Sequence, residues 1–346
     1  MRRLPIYFLI DVSESMVGEP ITQIENGMRN IIQELRTDPY ALETVFVSVI
    51  VFAGKAKKLL SLTELYKFYP PKFPIGDGTS LGVALNFLMD DMERSLQKTT
   101  EEMKGDWKPI VFLFTDGTPT DNPDLAIERW KKYFQRNSNL VCISLGNNVD
   151  TNVLGRLTDN VLRLNGVDEY SFKTFFKWVT ASIKTCSVSV SDSGIDNLQL
   201  APFSGVNLEK VDTKKSCKVD ENYVVLHGKC SNTKKRYLVK YVKQISTSDF
   251  LPEFNVMDYK LVGAYSIDEE SFESLSEGKS SRNINTNNLR GMPTCPCCGN
   301  QFGVVICECG NIMCSDGYTA LCPWCGMEGT LGGIEDGGID ITRGRG

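Results

Sequence analysis

Three oxygen-bearing side chains crowd into five residues near the start of the chain. The apolar run "PIYFLI" (5–10) continues as "DVSES", so Asp11, Ser13 and Ser15 stand where the hydrophobic signal stops. Two groups of the same chemistry occupy comparable positions further on. Thr79 lies in the Gly-flanked stretch "GDGTSLGVAL" just before a helical pattern, and Asp116 follows the run "IVFLF" in "TDG". Asp, Ser and Thr also cap helices and shape turns, and each motif alone supports no more than that. Together, two carboxylates and three hydroxyls make an oxygen-only donor set of the kind a hard cation such as Mg2+ takes. Without a cation, two converging carboxylates repel each other and lose hydration.

A second chemistry is carried by sulfur. Of 12 cysteines, Cys142, Cys186, Cys217 and Cys230 are scattered, and the other eight fall between Cys295 and Cys325. Cys217 and Cys230, in the stretch that follows the first domain, read as structural thiols. Two knuckles match, "CPCCG" from Cys295 and "CPWCG" from Cys322. Two residues between cysteines let both thiolates reach one ion, and the following Gly permits the tight turn. Cys295, Cys298, Cys322 and Cys325 are therefore expected to hold one structural Zn2+ in a zinc ribbon, closed to catalysis. Cys297, Cys307, Cys309 and Cys314 either form a second four-thiolate site or line the small core. No Lys or Arg lies between Cys295 and Cys325, which favours protein contact over nucleic acid. Trp324 and Tyr318 either contribute to such a contact or pack against the knuckles.

The elements that must position these groups alternate along the first half of the chain. Strand-like runs are "IYFLI" (6–10), "VFVSVIVF" (45–52), "IVFLF" (110–114), "LVCISL" (140–145) and "VLRL" (161–164). Near-continuous hydrophobicity over so few residues suits strands covered on both faces of a parallel sheet. Between them run helical stripes: Ile21, Ile24, Met28, Ile31 and Leu35; Leu81, Leu85, Leu88 and Met92; Ile127, Trp130 and Phe134; Phe172, Phe175, Phe176, Val179 and Ile183. The order predicts a doubly wound, mostly parallel α/β domain over 1–186. Ligands of such sheets bind at the carboxyl ends of the strands, where Asp11 and Asp116 stand. A small β-rich module is expected over 187–267, where "SVSVS" (187–191) alternates with period two. A polar linker is expected over 268–292, the zinc ribbon over 293–328 and a Gly-rich disordered tail over 329–346.

Composition and motifs narrow the function. A formal charge of -5 across 346 residues gives no basic footprint for nucleic acid. The single histidine, His227, leaves no material for His-rich catalytic zinc sites and only one partner for a Cys-His or Ser-His dyad. Neither G-x-G-x-x-G nor a P-loop occurs. A haloacid-dehalogenase-type phosphotransferase needs D-x-D after its first strand, and Ser13 replaces the second Asp. The start "MRRLPIYFLID" is interrupted by Asp11 and lacks a small-residue cleavage site, so it reads as a strand rather than a signal peptide. No stretch reaches the length of a transmembrane helix. The expected location is the cytoplasm.

The set Asp11, Ser13, Ser15, Thr79 and Asp116 resembles the metal-ion-dependent adhesion site of von Willebrand factor A (vWA) domains, whose pattern is D-x-S-x-S, a later Thr and an Asp in a T-D-G-like turn. The cysteine segment, following such a domain, resembles the zinc-binding C-terminal domain of the tellurium-resistance TerY family. The resemblance implies a non-enzymatic site. The hydroxyls contact Mg2+, or another divalent ion such as Mn2+ or Ca2+, and the carboxylates act directly or through water. A partner protein's Glu or Asp fills an open position, which Thr79 senses. It also implies a bacterial cytoplasmic adaptor acting with a Ser/Thr protein kinase and a metal-dependent Ser/Thr phosphatase in stress response or tellurite resistance. Two other classes stand beside this one: a nucleic-acid-binding zinc-ribbon protein and a metal-dependent hydrolase at Asp11 and Asp116.

Overall fold

A computed structural model describes residues 2–145, 151–164, 169–192, 201, 208–210, 222–247, 255–278, 280, 282–317, 319–330 and 338–345. The chain divides into two compact units. The first comprises Met1–Val12, Glu19–Phe73 and Thr79–Val219; the second comprises Ser13–Gly18, Pro74–Gly78 and Asp220–Gly346.

The first unit is the expected doubly wound α/β fold. Its elements in order are β1 (Leu4–Asp11), α1 (Glu19–Leu35), α2 (Pro39–Thr44), β2 (Val45–Phe52), β3 (Ala56–Glu64), α3 (Leu81–Ser95), β4 (Ile110–Thr115), α4 (Asp124–Tyr133), β5 (Asn139–Leu145), α5 (Thr151–Gly155), β6 (Val161–Leu164), α6 (Glu169–Asp192) and β7 (Leu208–Lys210). The sheet order is β3-β2-β1-β4-β5-β6-β7. The five apolar runs form its parallel centre, and β3 and β7 pair antiparallel at the edges. Chain order reverses between β1 and β4, which makes their carboxyl ends the switch point of the sheet.

The helical stripes supply the cover. One face packs α3 and α4 on the strands through Leu85, Leu88, Met92, Ile127 and a fully buried Trp130. Phe8, Phe112, Phe114, Phe175 and Phe176 form an aromatic file, with ring centroids 5.1 to 6.4 Å apart between neighbours. Gly27 of α1 allows a close helix contact, because a Cβ there would overlap the Phe176 ring. Gly27→Ala adds helix propensity but overpacks this crossing. It is expected to lower stability by about 1–3 kcal/mol, read as a lower urea midpoint at unchanged m-value. Gly27→Ala with Phe176→Leu should recover part of the loss.

The second unit is built on a six-stranded sheet in the order β12-β10-β9-β8-β14-β13. These strands are β8 (Tyr223–Lys229), β9 (Arg236–Thr247), β10 (Asn255–Ser266), β12 (Leu289–Arg290), β13 (Phe302–Ile306) and β14 (Ile312–Ser315). Helix α7 (Glu269–Leu275) and the pairs β11 (Asn283–Asn285) with β17 (Asp340–Thr342) and β15 (Thr319–Leu321) with β16 (Glu328–Thr330) complete it. Val224, Leu226, Tyr237, Val239, Tyr241 and Ile312 are buried together with Cys230, Cys295 and Cys314.

Three expected boundaries differ from this arrangement. "SVSVS" (187–191) continues α6 to Asp192 instead of opening a β module, because extending an existing helix adds one bond per residue with no new nucleus. The polar stretch expected as a linker carries α7, β11 and β12, and Leu289 and Arg290 pair with β10. The module over 187–267 and the ribbon over 293–328 are not separate bodies, since β14 pairs with β8 in one sheet. Within the expected tail, β16 and β17 are ordered, while 331–337 lies outside the described residues. Cys217 and Tyr318 lie outside them as well.

Candidate functional site

The oxygen site begins at the switch point. Ile10 of β1 is in register with Phe114 of β4, so Asp11 and Thr115 are next in line at the carboxyl edge. Thr115 Oγ1 donates to Asp11 Oδ2 at 2.6 Å, which fixes one carboxylate oxygen. Asp116 follows, also buried. In the loop leaving β1, Ser13 Oγ and Ser15 Oγ are 3.0 Å apart.

Thr79 is held from two sides. Its backbone N–H donates to Thr120 Oγ1 at 2.9 Å, and its carbonyl accepts from the Thr120 N–H at 2.9 Å. Asp121 then takes the role of cap for α3, accepting from Gly82 N–H at 3.2 Å and Val83 N–H at 3.1 Å. The loop after Asp116 thus staples the Thr79 loop in place. A Cβ on Gly117 would meet Thr79 Oγ1 at 3.4 Å, which locates the hydroxyl against the "TDG" turn. Thr79 Oγ1 is buried and has no hydrogen-bond partner among the described residues. A buried hydroxyl without a partner loses its hydration with nothing in return. A cation between Asp11 and Asp116 is a partner of the right chemistry, so the residues fit a hard divalent ion.

Sequence reasoning found the five donors but not Thr115, Thr120 and Asp121. Their signal was the turn-rich "TDGTPTDNPD", which identifies no partner until β1 and β4 are neighbours.

Glu14, between the two serines, belongs to the second unit and is fully buried. Its carboxylate meets His227 Nε2 and accepts the Arg345 N–H at 2.9 Å, and Asp77 accepts the same N–H at 3.2 Å. Burial, with Glu14 beside it, pushes Asp77 up to about 7. Burial works against a charged His227, but Glu14 and Asp77 outweigh it and raise the imidazole above its usual range. The chain's only histidine is thereby committed to two acids.

The thiols sort into two tetrads, and not as the knuckle spacing suggests. Cys230, Cys295, Cys298 and Cys314 form one; Cys307, Cys309, Cys322 and Cys325 form the other, each with sulfur atoms within 4.8 Å of one another. The expected set Cys295, Cys298, Cys322 and Cys325 is divided between them. Cys314 and Cys230, the latter expected only as a structural thiol, join the first knuckle and Cys307 with Cys309 joins the second, while Cys297 joins neither and faces Arg236 O at 3.9 Å. The reason is sheet register. Met313 of β14 pairs with Lys229 of β8, which brings Cys314 beside Cys230.

Sulfur separations are 3.7 Å for Cys298–Cys314, 3.8 Å for Cys230–Cys314, 3.6 Å for Cys307–Cys325 and 3.8 Å for Cys309–Cys322. A tetrahedral Zn2+ with bonds of about 2.3 Å requires sulfur separations of about 3.8 Å. Each knuckle turns on a Gly at positive φ, Gly299 at 81° and Gly326 at 77°, whose N–H returns to the first cysteine's carbonyl. Each tetrad also contains a thiol poised to ionise. Burial opposes this at Cys230, but hydrogen bonds from Thr233 and Cys298 bring it down to about 6; Asn311 brings Cys309 down to about 6. Trp324 donates to Ile312 O at 2.8 Å and packs beside the second tetrad, and so serves the fold. In the first unit, Cys142 and Cys186 are buried and burial raises both thiols, consistent with inert packing.

Comparison with known families finds a match in each of two stretches of the chain. Residues 6–174 match the von Willebrand factor type A domain, and residues 220–346 match the TerY-C metal binding domain. The chain carries a vWA domain and a TerY-C domain. Among solved structures, the vWA protein from Catenulispora acidiphila is 14% identical with a TM-score of 0.40, covering 53% of this chain and 43% of that one. Proximal thread matrix protein 1 from the mussel byssus is 18% identical at 0.40, covering 54% and 48%. The pilus adhesin SpaC from Lactobacillus rhamnosus GG is 13% identical at 0.43, covering 53% and 31%. The chain thus spans less than half the length of these structures. No curated protein matches it in sequence. Among the described residues, no helix of this vWA and TerY-C protein is long and apolar enough to cross a membrane.

Proposed function

We propose that this vWA and TerY-C protein is a non-enzymatic adaptor that captures an acidic side chain of a partner protein through a divalent cation. Asp11, Ser13, Ser15, Thr79 and Asp116 hold the ion, Mg2+ in preference to Mn2+ or Ca2+. The cation neutralises two buried carboxylates and offers a coordination position to a Glu or Asp of the partner. The observation that carries the reading is the buried Thr79 hydroxyl, left without a protein partner at the edge where Asp11 and Asp116 stand. In the second unit the two thiol tetrads hold one Zn2+ each, as structural ions. The family resemblance supplies the wider setting: a cytoplasmic kinase- and phosphatase-linked stress or tellurite-resistance system, with those two enzymes as the first partners to test.

Mn2+ titration of the full chain, followed by electron paramagnetic resonance, tests the ion site directly. Asp11→Asn and Thr79→Ala are each expected to weaken Mn2+ binding at that site by about tenfold or more, given that even supporting groups around a metal contribute 10–100-fold. Capture of a kinase or phosphatase partner should fall in parallel, with zinc content and melting temperature unchanged. Unaltered Mn2+ affinity in both variants would sink the proposal.

A further inference from the structure

The first unit has a recess at the amino edge of its sheet, the edge opposite Asp11 and Asp116. It encloses about 390 Å³ between the carboxyl ends of α3 and α4 and the segment entering β4. That volume lies in the range of small-molecule sites. Leu96 and Phe134 supply apolar wall, and Trp107 and Tyr133 supply aromatic surface.

The charges around it do not balance. Asp106 is taken by Arg3, with Arg3 Nε at 2.7 Å and Nη2 at 2.6 Å, and also accepts the Gln97 N–H at 2.8 Å. Glu93 meets Arg129 at 3.3 Å, a guanidinium it shares with Asp90 at 2.7 Å. Lys98 and Lys108 have no ion pair among the described residues. Arg2 lies over the Trp107 ring at 3.6 Å and donates to Gly105 O at 2.7 Å, a carbonyl that leaves its charge uncompensated. Three cations thus line an aromatic recess whose two carboxylates each face an arginine, Arg3 for Asp106 and a shared Arg129 for Glu93. Solvated lysines on a convex surface are ordinary; here the cations surround a concave site, and one is already stacked on an indole.

We propose that this recess binds a small anion carrying an aromatic ring, with the ring against Trp107 and Tyr133 and the anionic group between Lys98, Lys108 and Arg2. Stacking and charge act on different parts of such a ligand, so neither an inorganic anion nor a neutral aromatic should replace it.

Isothermal titration of the full chain tests this with two ringed anions, adenosine monophosphate and naphthoate. Inorganic phosphate and naphthylmethanol serve as the ringless and uncharged controls. At least one ringed anion is expected to bind once per chain and about tenfold tighter than either control, a difference readily resolved in Kd. Which of the two binds assigns the anionic group as phosphate or carboxylate. Lys98→Glu combined with Lys108→Glu should weaken binding by about tenfold or more, while Asp11→Asn should leave it unchanged. Lys98 is exposed and Lys108 half-buried, and an unchanged melting temperature confirms folding. Absence of binding by both ringed anions at millimolar concentration, or binding indifferent to the charge reversal, overturns the assignment.

Discussion

Stripping the thiol-bound metal is expected to release two Zn2+ per chain and to unfold the second unit in two steps. Structural zinc contributes about 10–16 kcal/mol in small finger peptides, more than most domains hold in reserve. The two tetrads are embedded differently. Around Cys307, Cys309, Cys322 and Cys325 the apolar material is Met313, Val305 and Trp324, too little to keep the segment folded alone. Cys230, Cys295 and Cys314 instead sit in the core of the β8–β9–β10 sheet with Tyr237, Tyr241 and Val239, which retains apolar burial when the ion leaves. A mercurial titration with a colorimetric zinc indicator should therefore show two equivalents. Hydrogen exchange should rise first over 302–330, and over β8 and β9 only when the second equivalent is lost. Among the described residues the first unit holds no thiol tetrad, and it should keep its own unfolding transition. Metal content of one or none, or protection unchanged after chelation, would contradict this assignment.

How much of this was readable in the chain depends on how local the signal is. The central strands and helical stripes were legible, because a sheet buried on both faces writes continuous apolar runs. Leu85, Leu88, Ile127 and Trp130 lie where the periodicity puts them. The edge strand β3 was not: "AKKLLSLTE" is half exposed and mixes lysines with leucines. Helix α7 was missed for the opposite reason. Its segment is polar, yet Asp268 caps it by accepting from Ser271 N–H at 2.9 Å, and two buried residues, Phe272 and Leu275, suffice to dock it. The five oxygen donors could be identified from types and strand order. The Thr120 and Asp121 staple could not, since it exists only when two loops separated by some forty residues share one sheet edge.

Cys230→Ser is expected to remove one Zn2+ per chain, whereas Cys297→Ser should remove none. Sequence spacing gives the contrary order, because Cys297 lies inside the "CPCCG" knuckle and Cys230 is sixty-five residues before Cys295. The pairing of β8 with β14 decides otherwise. It carries Cys230 to 3.8 Å from Cys314, while the knuckle turns Cys297 outward to the Arg236 carbonyl. Cys230 is also the thiol of this tetrad that its neighbours bring into the ionising range near neutral pH, which favours it as a ligand. A serine there leaves three thiolates and a weaker hydroxyl donor for a borderline-soft ion. Affinity at that site should fall by more than the 10–100-fold typical of losing a supporting group. Zinc stoichiometry and the melting temperature report the loss separately, and Cys325→Ser should show the same deficit in the other tetrad. If Cys297→Ser lost the ion and Cys230→Ser kept it, the first ion would be bound by the local knuckle, and the β8–β14 register would have no part in choosing its ligands.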